Sequence, residues 1–280
     1  MEFRQELITP EIAAMYLAKN LNNRRLDMFH VRKLAKDMNE GNWAMNGDTI
    51  RFNNEGELID GQHRLNAIIY SGKSMNMVVV EGIEDPNAFK TIDTNAKLRN
   101  VGQILGLQGI KNSNLVGSIA RRLIAWERTA DKSEFNMDTQ TFRYISTPNI
   151  IDFVAENNEE IQEMIYRLRN SLVMKRCGSG TALITALVLI RRFDSDKALE
   201  FVEILKSGYH NMEDSPVIKL RDRLLTPPER RGNKWELEMK AMVIKAFNKY
   251  IHDKPAKHIR WIRDGGTAEK FPIIGENSRF

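Results

Sequence analysis

The sequence predicts an α+β fold, with a mixed domain in residues 1–110 and a mainly helical domain in residues 111–280. Three observations support this prediction. Short β-branched runs alternate with helical patterns in the first part. After residue 111 the strand signals fade, whereas apolar residues at helical spacing recur as far as residue 251. A chain of 280 residues is also long enough for two ordinary domains.

The composition is that of a globular protein of the cytoplasm, with 42% hydrophobic and 28% charged residues. No apolar run reaches the roughly 18 residues that a membrane helix needs, because Arg191 and Arg192 end the longest one. The first residues lack the apolar stretch of a secretion signal. A single cysteine, Cys177, cannot form an internal disulfide. We therefore expect a reducing, cytoplasmic environment and no membrane partner.

The first elements expected are two helices and a β-hairpin. Thr9-Pro10 is typical of an N-cap followed by proline in the first helical position. Asp27 can cap a second helix, which should stop at Gly41. Segments 49–52 and 57–59 flank a polar connection that contains glycine, which is the pattern of two paired strands.

The next helix is expected to begin directly after the hairpin, at the motif Asp60-Gly61-Gln62-His63-Arg64, because apolar residues at helical spacing follow from Leu65 onward. Segment 77–80 is a β-branched run suited to a buried strand. Asp85-Pro86 should open a short helix, and a further helix should follow 91–95. The motif therefore lies at a junction between a strand and a helix.

The second domain is predicted to be built from helices. Segment 181–190 is apolar nearly all round, so we expect it to form a central helix that the others cover. The segments with helical periodicity are 115–126, 148–155, 161–168, 181–191, 198–205, 217–225 and 235–251.

The positive charge of the chain is concentrated in the second domain. The net charge is +5, and residues 1–110 carry 13 Lys and Arg against 14 Asp and Glu, so the basic excess lies in residues 111–280. Such an excess fits a polyanionic partner such as DNA, but it also fits solvated helix faces. Residues 111–170 show no convincing helix-turn-helix pattern, so sequence-specific DNA readout is not supported.

The junction motif has the chemistry of a phosphate site. A helix that starts after a strand presents unpaired N–H groups and the positive end of its dipole. Gly61 allows close approach and unusual φ angles, and Arg64 offers a planar fork of donors. Gln62 and His63 add neutral donors. The alternative is structural: Asp60 caps the helix, Gly61 eases the turn, and His63 and Arg64 are solvated.

A resemblance favours the phosphate interpretation. The run Leu58-Ile59-Asp60-Gly61-Gln62-His63-Arg64-Leu65-Asn66-Ala67 resembles the signature of the ParB/sulfiredoxin superfamily, in which a hydrophobic strand runs into Gly-x-x-Arg and an apolar helix. Thr94-Asn95-Ala96-Lys97-Leu98-Arg99 is similar to the later box that completes the nucleotide pocket of ParB proteins. The resemblance covers residues 5 to 110 and extends to phage and mobile-element proteins with a helical second domain.

The resemblance implies a nucleotide site and a set of residues for it. A nucleoside triphosphate, CTP or ATP, with Mg²⁺, would be bound by Gly61, Gln62, His63, Arg64, Asn95 and Arg99. It also implies phage or mobile-element DNA metabolism, with DNA as a partner and a homo-oligomer as a compatible assembly. No histidine lies at metal-ligand spacing, so no metal site built from the protein alone is expected.

The branches of the superfamily differ within the motif. Sulfiredoxins have a cysteine where this chain has Gln62, so a reductase is not favoured. ParB partition proteins use Gly-Glu-Arg-Arg to bind CTP, and the Gln62-His63 pair here puts CTP selectivity in doubt. The free-serine kinase branch has Asp-Gly-His-His-Arg, which matches Asp60, Gly61, His63 and Arg64. That match makes an NTP-dependent phosphotransferase with Asp60 and His63 as catalytic residues the alternative, beside a nuclease of the same superfamily.

Overall fold

The computed structural model describes residues 1–21, 23, 25–85, 100–135, 144–229, 232–263 and 268–276. It is an α+β protein that divides into two compact units, Met1–Arg99 (unit 1) and Asn100–Phe280 (unit 2). The sequence analysis drew the boundary at residue 110. The structural division comes earlier because the short helix Val101–Leu107 packs against the helix that follows it, Ser113–Arg128.

In its described residues, unit 1 is a four-stranded mixed sheet with three helices. Its elements are β1 (Glu2–Ile8), α1 (Pro10–Leu17), α2 (Met28–Asn39), β2 (Thr49–Asn53), β3 (Leu58–Asp60), α3 (Gln62–Ser71) and β4 (Met75–Ile83). The strand order is β1-β4-β2-β3, with β1 antiparallel to β4, β2 antiparallel to β3, and β2 parallel to β4. Helix α3 packs against both α1 and α2. Helices and strands therefore share one hydrophobic core.

The predicted start of unit 1 is confirmed, with one omission. The Thr9 hydroxyl accepts the Ile12 N–H at 3.3 Å, and Asp27 Oδ1 accepts the Phe29 N–H at 2.9 Å, so both caps form. The hairpin, α3 and β4 also form. Strand β1 was not predicted, because most of its side chains are exposed and its polar composition resembles a solvated terminus. The short helix predicted from Asp85-Pro86 lies outside the described residues, as does the start of the helix predicted after 91–95, whose later part forms as Val101–Leu107.

Unit 2 consists of helices packed around one long buried helix. Its helices are α4 (Val101–Leu107), α5 (Ser113–Arg128), α6 (Thr147–Leu168), α7 (Leu172–Arg176), α8 (Gly180–Phe193), α9 (Ser195–Ser207), α10 (Pro216–Leu225) and α11 (Asn233–Ile251). Every residue from Ala182 to Ile190 is buried, and α5, α6, α9 and α11 pack on this helix. The predicted central helix is therefore confirmed.

One predicted break in unit 2 is absent. Segments 148–155 and 161–168 form a single helix, α6. The residues between them are polar, but two of them bind a neighbouring helix: Asn157 and Glu160 both accept hydrogen bonds from Arg192. The interruption of the apolar pattern thus marks an ionic contact rather than a turn. None of the helices in the described ranges is long and apolar enough to cross a membrane.

The core of unit 2 contains a buried lysine. Lys240 on α11 is only 1% exposed, and its Nζ lies 5.0 Å from the centre of the Phe135 ring. The pKa of Lys240 is lowered to about 7, mainly by burial and then by the positive charge of Arg122. The negative charge of Glu236 raises the pKa, but by less than these two effects lower it. Arg122 and Glu236 themselves form an ion pair at 2.7 Å. The ammonium form of Lys240 therefore carries a large desolvation penalty.

The substitution Lys240→Met should stabilise the protein most at low pH. In the unfolded chain the lysine keeps its usual pKa of 10.5, so between pH 7 and 10.5 the unfolded state binds more protons and the parent gains stability as the pH rises. The advantage of Lys240→Met should therefore shrink by up to about 4 kcal/mol between pH 6 and pH 10. Urea unfolding at both pH values, with the more exposed Lys249→Met as control, measures this. A constant advantage would contradict the prediction.

Candidate functional site

The strand-to-helix junction of unit 1 is built around Gly61. Strand β3 ends at Asp60, and Gly61 is the N-cap of α3 with a φ of 104°, in the left-handed region that favours glycine. A Cβ atom at this position would lie 2.5 Å from Ile50 Cδ1. The glycine is therefore required twice, by its own backbone conformation and by the close approach of β2. Ile50 fills the space in which a side chain would stand.

Four charged residues meet at this junction, and we call Asp48, Arg51, Asp60 and Arg64 the junction cluster. Arg64 Nη2 lies 2.9 Å from Asp60 Oδ2 and donates to the Thr49 carbonyl at 2.7 Å. Asp48 Oδ2 lies 3.5 Å from Arg64 Nη1, and Arg51 Nη1 lies 3.5 Å from Asp60 Oδ2. The side chains of Asp60 and Arg64 are 19% and 16% exposed, whereas that of Asp48 is 49% exposed. The cluster thus runs from the protein interior to the surface.

Within the described ranges, one buried polar atom in the cluster and one beside it have no hydrogen-bond partner. They are Arg64 Nε and Thr49 Oγ1. Buried polar groups are normally satisfied, because an unpaired one costs about 1–3 kcal/mol. The described residues around Arg64 and Thr49 therefore leave two polar atoms of the junction without a partner.

Gln62 and His63 face the chain segment that precedes α2. Gln62 Oε1 accepts from Asn20 Nδ2 at 3.3 Å, and His63 Nε2 accepts from the Asp27 N–H at 3.1 Å. Because Nε2 is an acceptor, the neutral ring carries its proton on Nδ1. Both side chains are buried, as is Gly61. In this arrangement they hold α3 against the residues between α1 and α2.

The structural alternative raised by the sequence is wrong in two respects. His63 is 8% exposed and Arg64 is largely buried, so neither is solvated. Asp60 does not cap α3: its Oδ1 accepts the Gly61 N–H at 2.7 Å, and the N-cap residue, Gly61, has no side chain to cap the helix. Asp60 acts instead as the shared partner of two arginines.

Two further residues were predicted for this site. Asn95 and Arg99 lie outside the described residues. Cys177 is buried in unit 2. Within the described ranges, no group of three or more His, Cys, Asp or Glu side chains could hold a metal ion.

Sequence reasoning missed the β2 half of the cluster. Thr49 and Arg51 lie on the face of β2 opposite to the buried Ile50 and Phe52, and Arg51 is paired with Asp60 across the hairpin. The alternation of a strand places residues 49 and 51 on one side, so the pattern itself was visible. The hairpin register, which brings Arg51 opposite Asp60, was not.

The fold and the site define an α+β protein with a partly buried charge cluster at a strand-to-helix junction. The chain matches no family model, no curated protein and no solved structure. Its resemblance to the ParB/sulfiredoxin superfamily therefore depends on the motif residues alone.

The substitution Gly61→Ala should destabilise the protein more than Gly72→Ala. Both glycines have positive φ angles, but nothing lies within 4 Å of a Cβ at Gly72, so that variant should lose only the cost of backbone strain, about 1 kcal/mol. Gly61→Ala adds the clash with Ile50, for an extra loss of about 1–3 kcal/mol. Urea unfolding of both variants gives the difference. Equal losses would show that β2 can move away from the junction freely.

Proposed function

We propose that unit 1 binds a nucleoside phosphate at the junction cluster, and that the protein acts as a nucleotide-binding, ParB-like protein in phage or mobile-element DNA metabolism. The observation that carries this proposal is the convergence of Arg51 and Arg64 on one oxygen of Asp60 at the start of α3. The second part of the proposal, on DNA metabolism, rests on the motif resemblance.

Helix geometry and arginine chemistry both favour a phosphate at this place. Helix α3 begins at Gln62, and the positive end of its dipole therefore lies at the junction. The N-cap residue, Gly61, has no side chain to accept a hydrogen bond from the N–H groups of the first turn. The guanidinium groups of Arg51 and Arg64 provide planar donors of the kind that bind phosphate oxygens in pairs. The unpaired Arg64 Nε and Thr49 Oγ1 add donors that a reoriented Arg64 and a ligand would satisfy.

The two carboxylates of the cluster suit a magnesium–nucleotide complex better than a bare phosphate. Asp48 and Asp60 both approach the terminal nitrogens of Arg64, and carboxylates repel an anion. Mg²⁺ is usually held by one or two carboxylates together with substrate phosphates and water. Asp48 and Asp60 would hold the ion and Arg51 and Arg64 the phosphate oxygens. The ion, when bound, would reduce the repulsion between the two carboxylates and the phosphate.

Arg64→Ala should weaken nucleotide binding by about 1.5–3 kcal/mol, the scale of a charge-assisted hydrogen bond. Calorimetric titration of the parent and the variant with ATP, CTP, GTP and ADP in the presence of Mg²⁺ measures the loss. The matched control is Arg4→Ala, because Arg4 also pairs with two carboxylates, Glu6 and Glu81, but on β1 at the opposite edge of the sheet.

Melting curves of both arginine variants separate lost affinity from lost folding. An unchanged affinity in Arg4→Ala and a reduced one in Arg64→Ala would support the site. If the parent binds none of the four nucleotides, or if both variants lose affinity equally, the junction cluster is not a nucleotide site.

A second candidate function is phosphoryl transfer, and the position of Asp60 favours it. Asp60 Oδ2 lies between two guanidinium groups at the helix start, and the carboxylate keeps some exposure. A carboxylate beside a bound phosphate can accept a proton from an acceptor hydroxyl or orient Mg²⁺. In this candidate the arginines would bind the transferred phosphate, and Asp60 would be the catalytic residue.

Asp60→Asn should lower nucleotide turnover by ~10²-fold or more if Asp60 is catalytic. The asparagine Oδ1 can still accept the Gly61 N–H, so the fold should survive. Asp48, Arg51 and Arg64 remain to hold the metal–nucleotide complex, so affinity should fall much less than turnover. The control is Glu57→Gln in the same hairpin, where the acid accepts a hydrogen bond from Asn53 outside the cluster. Turnover, affinity and melting temperature are measured for all three proteins. Equal turnover in a folded Asp60→Asn variant would leave only the binding function.

A further inference from the structure

A concave basic pocket lies at the end of α11 in unit 2. It has a volume of about 280 Å³. We call it the basic pocket, and its charged or titratable lining residues are Lys245, Lys249, Lys257, His258, Arg260 and Glu269. This pocket was not visible in the sequence, because its two halves come from a helix and from the irregular segment that follows it.

The helix and the segment after it hold the basic groups in place by different means. Lys245 and Lys249 are one turn apart on α11, so their side chains lie on the same face. In the following segment Ala256 and Ile259 are buried, and the Ala256 N–H donates to the Asp214 carbonyl at 2.8 Å. These anchors leave the intervening basic residues exposed at the pocket, so the cluster is a built feature of the fold.

The charges in the basic pocket are not balanced. Among the described residues that line it, Glu269 is the one acid, and it pairs with Lys245 at 2.5 Å. Lys249, Lys257 and Arg260 form no ion pair with any residue in the described ranges. Like charges held together in a concavity repel one another and raise the local positive potential. A bound anion would relieve that repulsion.

We propose that the basic pocket binds a phosphate group. Phosphate is the anion whose several oxygens can engage a planar guanidinium, here Arg260, and two or more ammonium groups at once. The pocket is at the small end of the range for ligand sites, roughly 300–1,000 Å³, so it suits a phosphate with one attached sugar. The phosphate can belong to a small phosphorylated molecule or to the backbone of a nucleic acid.

The double variant Lys257→Gln/Arg260→Gln tests the pocket, because both side chains are exposed and their removal should not affect folding. The matched control is Lys175→Gln/Arg176→Gln, which removes one exposed lysine and one exposed arginine from α7, outside the lining. Full-length parent and variants are titrated with inorganic pyrophosphate and with AMP by calorimetry. They are also titrated with a short labelled DNA duplex at several salt concentrations.

The pocket variant should lose at least about tenfold in affinity, and the control should resemble the parent. Loss of pyrophosphate or AMP binding assigns the site to small phosphorylated molecules. Loss confined to DNA, with a salt dependence reduced by about two counterions, assigns it to nucleic acid. Arg64→Ala should leave pyrophosphate and DNA binding at the basic pocket intact, and AMP binding that only Arg64→Ala removes belongs to the junction cluster. If the parent binds none of the probes, or if both double variants lose affinity equally, the proposal is overturned.

Discussion

The contact between Gly61 and Ile50 is the constraint on which the geometry of unit 1 depends. At this contact the start of α3 lies against β2, and Arg64 on α3 reaches both the Thr49 carbonyl and Asp60. A residue with a side chain at position 61 would push the helix away from the strand. The junction cluster therefore depends on backbone packing. Arg64 is held by Thr49 on β2 and by Asp60 at the end of β3.

The junction cluster contains both arginines, which attract phosphate, and carboxylates, which repel it. Arg64 is neutralised by Asp60 and Asp48, which stabilises the fold but also competes with any phosphate. A site for a bare anion would not contain those acids, whereas a site for a metal–nucleotide complex would. The basic pocket of unit 2 has the opposite character, since Lys249, Lys257 and Arg260 form no ion pair within the described ranges. The two sites therefore suit phosphates that differ in whether a metal ion accompanies them.

Much of the fold could be predicted from local patterns, and the chemistry of the site only in part. Thr9 and Asp27 predict the starts of their helices because capping is a short-range interaction. The apolar run of α8 predicts that this helix is buried. Strand β1 was not predicted because an exposed edge strand carries few apolar residues. The structural alternative, in which Asp60 caps α3, is wrong because Asp60 pairs with Arg51, and that pairing depends on the hairpin register, which no local pattern specifies. The basic pocket could not be predicted because its residues come from a helix and from the irregular segment that follows it.

The sheet order has a consequence for how the chain folds as it is synthesised. Strand β4 is the last of the described strands in sequence, yet β1 and β2 both pair with it and not with each other. The first eight residues and the hairpin therefore have no shared partner until residues 75–83 have left the ribosome. Pairing between such distant segments is slow because the loop must close first. Until then the nascent chain exposes unpaired strand edges, which can pair with other chains.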